Sequence, residues 1–146
     1  MNKFALIASR FNGLIVDQLV KGAFETLIKH GIKETDIEIL WVPGALEIPV
    51  VAQHAARTRK YDGLICLGAV IKGSTDHYEH VSREVHQGIT RVSLDASIPV
   101  TMGVLTVESM TQALERANGV CGNVGANAAL AALDVANTLK MLGSEQ

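Results

Sequence analysis

The sequence predicts an α/β domain of three layers, in which helices cover both faces of a four-stranded parallel sheet. Short apolar runs alternate with helical patterns along all 146 residues, as in repeated β-α-β units with right-handed crossovers. The runs are almost continuously apolar, which is typical of strands buried on both faces. The length fits a single domain, residues 1–146. We expect the strand order 2-1-3-4 of flavodoxin-like folds.

Each element follows from its pattern of apolar residues. Strands are predicted where apolar residues follow one another directly, at 3–9, 37–42, 63–71 and 99–105. The first helix, 14–30, keeps one apolar face, and Gly31 ends it. The second, about 47–60, tolerates Pro49 in its first turn. Helical spacing predicts three more helices, at 77–93, 108–117 and about 122–142, and the last is rich enough in alanine to pack closely.

Composition excludes several classes of function and indicates contacts between subunits. Apolar residues make up 48% of the chain, which is rich for so small a monomer. The net charge of −2 and the scattered basic residues give no footprint for nucleic acid. Cys66 and Cys121 do not make a disulfide framework, and Cys66 fits a small core residue. With no signal-peptide pattern and no apolar run of membrane length, we expect a soluble cytoplasmic protein.

The stretch 68–81 carries the strongest functional signal. It follows the third predicted strand and has the sequence G-A-V-I-K-G-S-T-D-H-Y-E-H-V. A glycine turn that leads into a helix start presents unpaired N–H groups, which bind anions. The clustered donors Lys72, Ser74 and Thr75 favour a phosphate over a carboxylate. Beside such an anion His77 is a candidate proton carrier, because imidazole gains and loses a proton near neutral pH.

This stretch has other interpretations. Lys72 precedes Gly73 instead of following a second glycine, so the nucleotide P-loop pattern is absent. His77 and His80 have the spacing of a possible metal pair, but no H-E-x-x-H motif and no cysteine pair supports a metal site. Taken alone, the stretch also fits a solvated helix start with a surface histidine.

Further unusual residues follow the other strands, at the edge where parallel sheets bind ligands. Phe11 lies outside any apolar stripe, so it either stacks on a flat heterocycle or folds onto its own core. Glu47 is either an acceptor for the hydroxyls of a polyol or an acidic residue favoured at a helix start. Arg116 lies late in a predicted helix, where the helix dipole favours a cation, so its presence alone does not indicate a functional role.

Five motifs occur in order along the chain. They are R-F-N near the start, P-G-A-L-E-I-P at 43–49, G-A-V-I-K-G-S-T-D-H-Y-E at 68–79, M-G-V-L-T at 102–106 and A-L-E-R-A at 113–117. Together they resemble the lumazine synthase family, the 6,7-dimethyl-8-ribityllumazine synthases of riboflavin biosynthesis. The resemblance covers essentially the whole chain.

The resemblance implies a reaction and a role for each matching residue. The reaction condenses 5-amino-6-(D-ribitylamino)uracil with 3,4-dihydroxy-2-butanone 4-phosphate, releases phosphate and water, and needs neither a metal nor an organic cofactor. Phe11 is expected to stack on the pyrimidine and His77 to carry protons. The other implied contacts are Ala45, Leu46 and Glu47 to the ribityl chain; the backbone of Ala69, Val70 and Ile71 to the pyrimidine edge; Ser74 and Thr75 to the phosphate; and, from the adjacent subunit, Met102 to the pyrimidine site and Arg116 to the phosphate.

The resemblance also implies a homopentamer, and in many members a sixty-subunit shell. We expect a pentamer and leave the shell open, because many shell-forming members have an extra N-terminal strand and the first strand here begins at Lys3. The chain departs from the family at Val120 and Val124, where lysine is common, at Asn127, where an acidic residue is common, and at Met102, where phenylalanine is usual. The alternative function is therefore a weakened or inactive member that binds a flavin or lumazine or serves as a self-assembling scaffold.

Overall fold

The computed structural model describes residues 2–73 and 77–143. Strands and α-helices alternate along this part of the chain. Their bounds are β1 Phe4–Ser9, α1 Gly13–Lys29, β2 Ile37–Val42, α2 Ile48–Arg57, β3 Gly63–Ile71, α3 Tyr78–Ala96, β4 Val100–Val107, α4 Met110–Asn118 and α5 Val124–Gly143. Short 3-10 turns, Glu34–Asp36 and Ala45–Glu47, precede β2 and α2.

The strands form a parallel sheet in the order β2-β1-β3-β4, which confirms the predicted topology. β3 is buried along its whole length, as its continuous apolar sequence predicted. Its pairing with β1 ends where Ala8 lies opposite Leu67, whereas its pairing with β4 continues to Ile71 opposite Val107. The last residues of β3 therefore extend beyond the end of β1.

Helices cover both faces of the sheet, so the predicted three-layer α/β fold is also confirmed. Successive side chains of a strand point to opposite faces. On β1, Phe4 and Leu6 pack with α1, α4 and α5, while Ala5 and Ile7 pack with α2 and α3. Among the described residues, no helix combines the length and the apolar character needed to cross a membrane.

The alanine-rich helix α5 packs closely on α1. A Cβ atom added to Gly125 would lie 2.1 Å from the Leu19 carbonyl oxygen, so the two helices meet backbone to backbone. The Asn123 carboxamide fixes the start of α5, because its oxygen accepts from the Ala126 N–H at 2.9 Å. Its nitrogen donates to the Gln18 carbonyl, also at 2.9 Å, and so ties this helix start to α1.

Several observed bounds differ from the predicted ones by one to three residues. α2 begins after Glu47, because that residue lies in the preceding 3-10 turn. It ends at Arg57, because Arg59 adopts a left-handed conformation with φ 58°. β4 extends past the predicted end to Val107, whose carbonyl accepts from the Lys72 N–H at 2.9 Å. α3 also ends later than predicted.

Candidate active site

The turns that follow β1 and β2 are bound to each other at the carboxyl-terminal edge of the sheet. The Arg10 N–H donates to the Val42 carbonyl at 2.8 Å, and the Phe11 N–H donates to the Pro43 carbonyl at 3.1 Å. These bonds hold the backbone of Phe11 beside the turn that leads into α2.

The 3-10 turn Ala45–Glu47 forms the next part of this edge. Glu47 Oε1 accepts from the Gly44 N–H at 2.9 Å, so the carboxylate caps its own turn. Glu47 is nevertheless exposed, and a carboxylate can accept several hydrogen bonds. The capping role and a role in binding hydroxyls are therefore compatible.

A cleft of about 310 Å³ lies between these turns and the end of β3, and we call it the apolar cleft. It is lined by Phe11, Asn12, Gly44, Ala45, Leu46, Glu47, Ala69, Val70, Ile71 and Val81. The structure thus brings together all the residues predicted to contact the pyrimidine or the ribityl chain, except Met102. Most of the lining is apolar, which suits a flat organic ligand.

The wall and the aromatic ring of the apolar cleft differ in exposure. Ala69, Val70 and Ile71 are each 4% exposed, so β3 supplies a rigid wall. Phe11 is 56% exposed, so its ring is not folded into the core of its own chain. An exposed ring above a rigid apolar wall can stack on a flat heterocycle.

A second cleft, of about 580 Å³, lies where the chain passes from β3 to α3, and we call it the basic cleft. It is lined by Lys72, Gly73, His77, Tyr78, Glu79, His80 and Arg83. Gly73 has φ 93°, which glycine adopts readily. Ile71 lines the apolar cleft and the next residue, Lys72, lines the basic cleft, so both clefts lie at the end of β3. Ser74 and Thr75, the predicted phosphate donors, lie outside the described residues.

Most of the chain, and not the clefts alone, matches a known family. A family model described as 6,7-dimethyl-8-ribityllumazine synthase matches residues 1–140. The chain belongs to the lumazine synthase family. The match includes all four strands and both clefts. As a family, lumazine synthases are transferases of riboflavin biosynthesis. They are oligomers, and their substrates are small molecules.

Two residues predicted for the lumazine synthase site lie away from both clefts of their own chain. Met102 is in β4 opposite Cys66 and is partly buried against the layer of α2 and α3. Arg116 is in α4, where its Nη1 donates to the Gln112 carbonyl at 3.3 Å. Neither residue lines the apolar or the basic cleft.

Other titratable groups are poor candidates for the chemistry of a lumazine synthase. Burial raises the pKa of the Cys66 thiol to about 12, so it stays protonated and unreactive. Glu38 pairs with Lys3 at 2.7 Å and accepts from the Tyr61 hydroxyl at 2.5 Å, and Lys3 is the larger cause of its lowered pKa. This cluster lies at the opposite edge of the sheet. Within residues 2–73 and 77–143, no group of three His, Cys, Asp or Glu side chains could hold a metal ion.

Asn12, Gly44 and Val81 also line the apolar cleft. All three lie in the motifs or the stretch that the sequence marked as functional, but the sequence assigned none of them a role. Val81 lies in α3 and is partly buried against the layer of α2 and α3. Asn12 follows Phe11 in a turn, and its left-handed conformation, φ 60°, is one that asparagine tolerates. That preference is the signal in the sequence that could have identified it.

Proposed function

We propose that the chain condenses 5-amino-6-(D-ribitylamino)uracil with 3,4-dihydroxy-2-butanone 4-phosphate to give 6,7-dimethyl-8-ribityllumazine, phosphate and water. The observation that carries this proposal is the pairing of two clefts at the end of β3. An apolar cleft with an exposed aromatic ring suits a flat heterocycle, and a basic cleft suits a phosphate ester. Membership of the lumazine synthase family supports the same pair of substrates.

The apolar cleft would hold the pyrimidine and its ribityl chain. The Phe11 ring stacks on the heterocycle, and the backbone of residues 69–71 bonds to its edge. β3 extends beyond β1 here, so its peptide groups on that side have no strand partner. The Glu47 carboxylate accepts hydrogen bonds from the ribityl hydroxyls, while Ala45 and Leu46 lie against the carbon chain.

The basic cleft would hold the phosphate ester. Lys72 and Arg83 supply positive charge, and we assign Ser74 and Thr75 as hydrogen-bond donors to the phosphate. Phosphate then leaves as an anion that is already stabilised, which lowers the barrier to its loss. His77 carries protons during imine formation and ring closure. Holding the two substrates in register supplies much of the remaining acceleration.

We propose further that the site is completed by a neighbouring subunit of a homopentamer. Met102 and Arg116 lie outside the clefts of their own chain, so they would serve the neighbour's pyrimidine and phosphate. Large apolar side chains remain exposed on the single chain, including Leu94 at 76%, and such side chains favour subunit contacts. The sixty-subunit shell, the cytoplasmic location and the single-domain organisation stay predictions.

The proposal is tested by mixing the purified protein with both substrates and following the lumazine product by its absorbance. Phe11→Ala should raise the KM for the pyrimidine about fivefold or more, because stacking on an aromatic ring is worth roughly 1–3 kcal/mol. Leu14→Ala is a matched control, since Leu14 is 87% exposed nearby and lines neither cleft. If the parent forms no lumazine although both substrates bind, the assigned reaction is wrong.

The alternative is a weakened or inactive member that binds a flavin or lumazine or acts as an assembling scaffold. One observation favours it. Val124, where the family commonly has lysine, is uncharged, and it is packed partly against the layer of α1, α4 and α5, so no cation stands at this position. Binding of the lumazine without turnover, in an intact oligomer, would support this alternative over the enzyme.

A further inference from the structure

Asn12 joins three parts of the molecule at the edge of the apolar cleft. Its side-chain Nδ2 donates to the Ala69 carbonyl at 3.0 Å, across 57 positions of sequence. Its own carbonyl accepts from the N–H groups of Ile15 and Val16, at 3.0 and 3.1 Å, and so begins α1. One residue therefore connects the end of β3, the start of α1 and the turn that carries Phe11.

The position of the Phe11 ring depends on these backbone connections. Phe11 is 56% exposed, so side-chain packing restrains its ring only in part. Its N–H is held by the Pro43 carbonyl at 3.1 Å, and the residue after it is held by the bond from Asn12 to Ala69. Without the bond to Ala69, the turn would be held only by the Arg10 and Phe11 bonds to the β2 turn and by the start of α1, and the ring would keep its place over the cleft less firmly.

From this geometry we propose that Asn12 is a positioning residue, which fixes the Phe11 ring over the apolar cleft through its bond to Ala69. Two requirements select asparagine. The conformation at position 12 is left-handed, with φ 60° and ψ 44°, and most L-residues adopt it at a cost of roughly 1–2 kcal/mol. The group opposite is a carbonyl, so the side chain must be a donor.

Two substitutions separate these requirements. Asn12→Gly keeps the left-handed backbone conformation but removes the side-chain carboxamide that donates to Ala69. Asn12→Asp keeps the size and tolerates the backbone, but it places an acceptor against the acceptor of Ala69. Asn137→Asp, at an exposed position of α5, makes the same change of charge away from the site and serves as the control.

The first experiment measures the accessibility and the mobility of the aromatic side chain at position 11, and it does not depend on catalysis. Trp41 is the sole tryptophan of the chain, so Phe11→Trp in a Trp41→Phe background places a single indole at the cleft. We expect Asn12→Asp and Asn12→Gly to increase acrylamide quenching of that indole and to lower its anisotropy. The proposal is overturned if both quantities stay at the parent value in folded protein.

A second experiment rests on the proposed function. Asn12→Gly should raise the KM for the pyrimidine about threefold to tenfold, as expected for one lost neutral hydrogen bond, and change kcat less. Combined with Phe11→Ala, it should add little, because Asn12 acts through the ring. Fully additive effects on KM would overturn the proposal. If the parent forms no lumazine, the proposed function fails, and the fluorescence result alone then decides the role of Asn12.

Discussion

Restoring charge at the start of α5 is the most informative change for activity. Val124 is the first residue of α5, and Asn127 lies one turn later on the same helix. Residues three apart on a helix are neighbours, with Cβ atoms about 5–6 Å apart. Val124→Lys with Asn127→Glu therefore introduces a cation and a carboxylate that can pair. Lysine and an acidic residue are also what the family commonly has at these positions.

The cost to stability can be worked from the surroundings of Val124. Replacing a partly buried valine in the layer of α1, α4 and α5 loses about 1 kcal/mol of apolar burial. A cation at a helix N-terminus costs a further 0.3–1 kcal/mol, roughly. The carboxylate in the first turn regains about 0.3–1 kcal/mol, and the pair adds about 0.2 kcal/mol, because its lysine precedes its glutamate. The double variant should therefore stay folded and be more stable than Val124→Lys alone.

The expected stabilisation of the transition state is larger than this loss of folding stability. A charge-assisted hydrogen bond is worth about 1.5–3 kcal/mol, which corresponds to roughly tenfold to a hundredfold in rate. Turnover of the double variant is measured by lumazine absorbance, and native mass spectrometry checks that the oligomer is unchanged. Val135→Lys adds the same charge further along α5 and should not raise turnover. If the parent is already as fast as ordinary lumazine synthases, the reasoning about the missing lysine is refuted.

His77→Ala should lower kcat more than it raises KM, and the loss in kcat should lie near the lower end of the roughly 10²–10⁴-fold range for a general acid or base. Turnover equal to that of the parent from pH 6 to 8 would show that His77 does not carry protons. Mixed rings of His77→Ala and Arg116→Ala chains should regain part of the activity, because some sites then hold both parent residues. No recovery in rings confirmed by native mass spectrometry would argue for sites built within one chain. Gly125→Ala should lower the urea unfolding free energy by about 1–3 kcal/mol, because its Cβ would lie 2.1 Å from a carbonyl oxygen of α1. Gly143→Ala on the same helix meets nothing within 4 Å, and an equal loss there would contradict the packing explanation.

The sequence by itself determined the strands, their order and the edge of the sheet where the clefts lie. A strand buried on both faces is apolar throughout, so its signal is local and needs no knowledge of its partners, as the buried residues of β3 show. Phe11 and Glu47 could be placed near each other without a structure, because each follows a strand and the ends of parallel strands meet at one edge. The left-handed turn at Gly73 likewise follows from the residue type.

Only the tertiary structure decided which side chains share a cleft and which bonds hold them. The contact between Asn12 and Ala69 spans 57 positions, and it depends on β3 extending beyond β1. Val81 had no assigned role, and only the packing of α3 against the sheet brought it to the apolar cleft. Arg116 matched a motif of the site, yet the path of α4 keeps it out of its own chain's clefts. Sequence patterns report what each segment buries, whereas the meeting of distant segments depends on strand register and helix crossing, which no local pattern encodes.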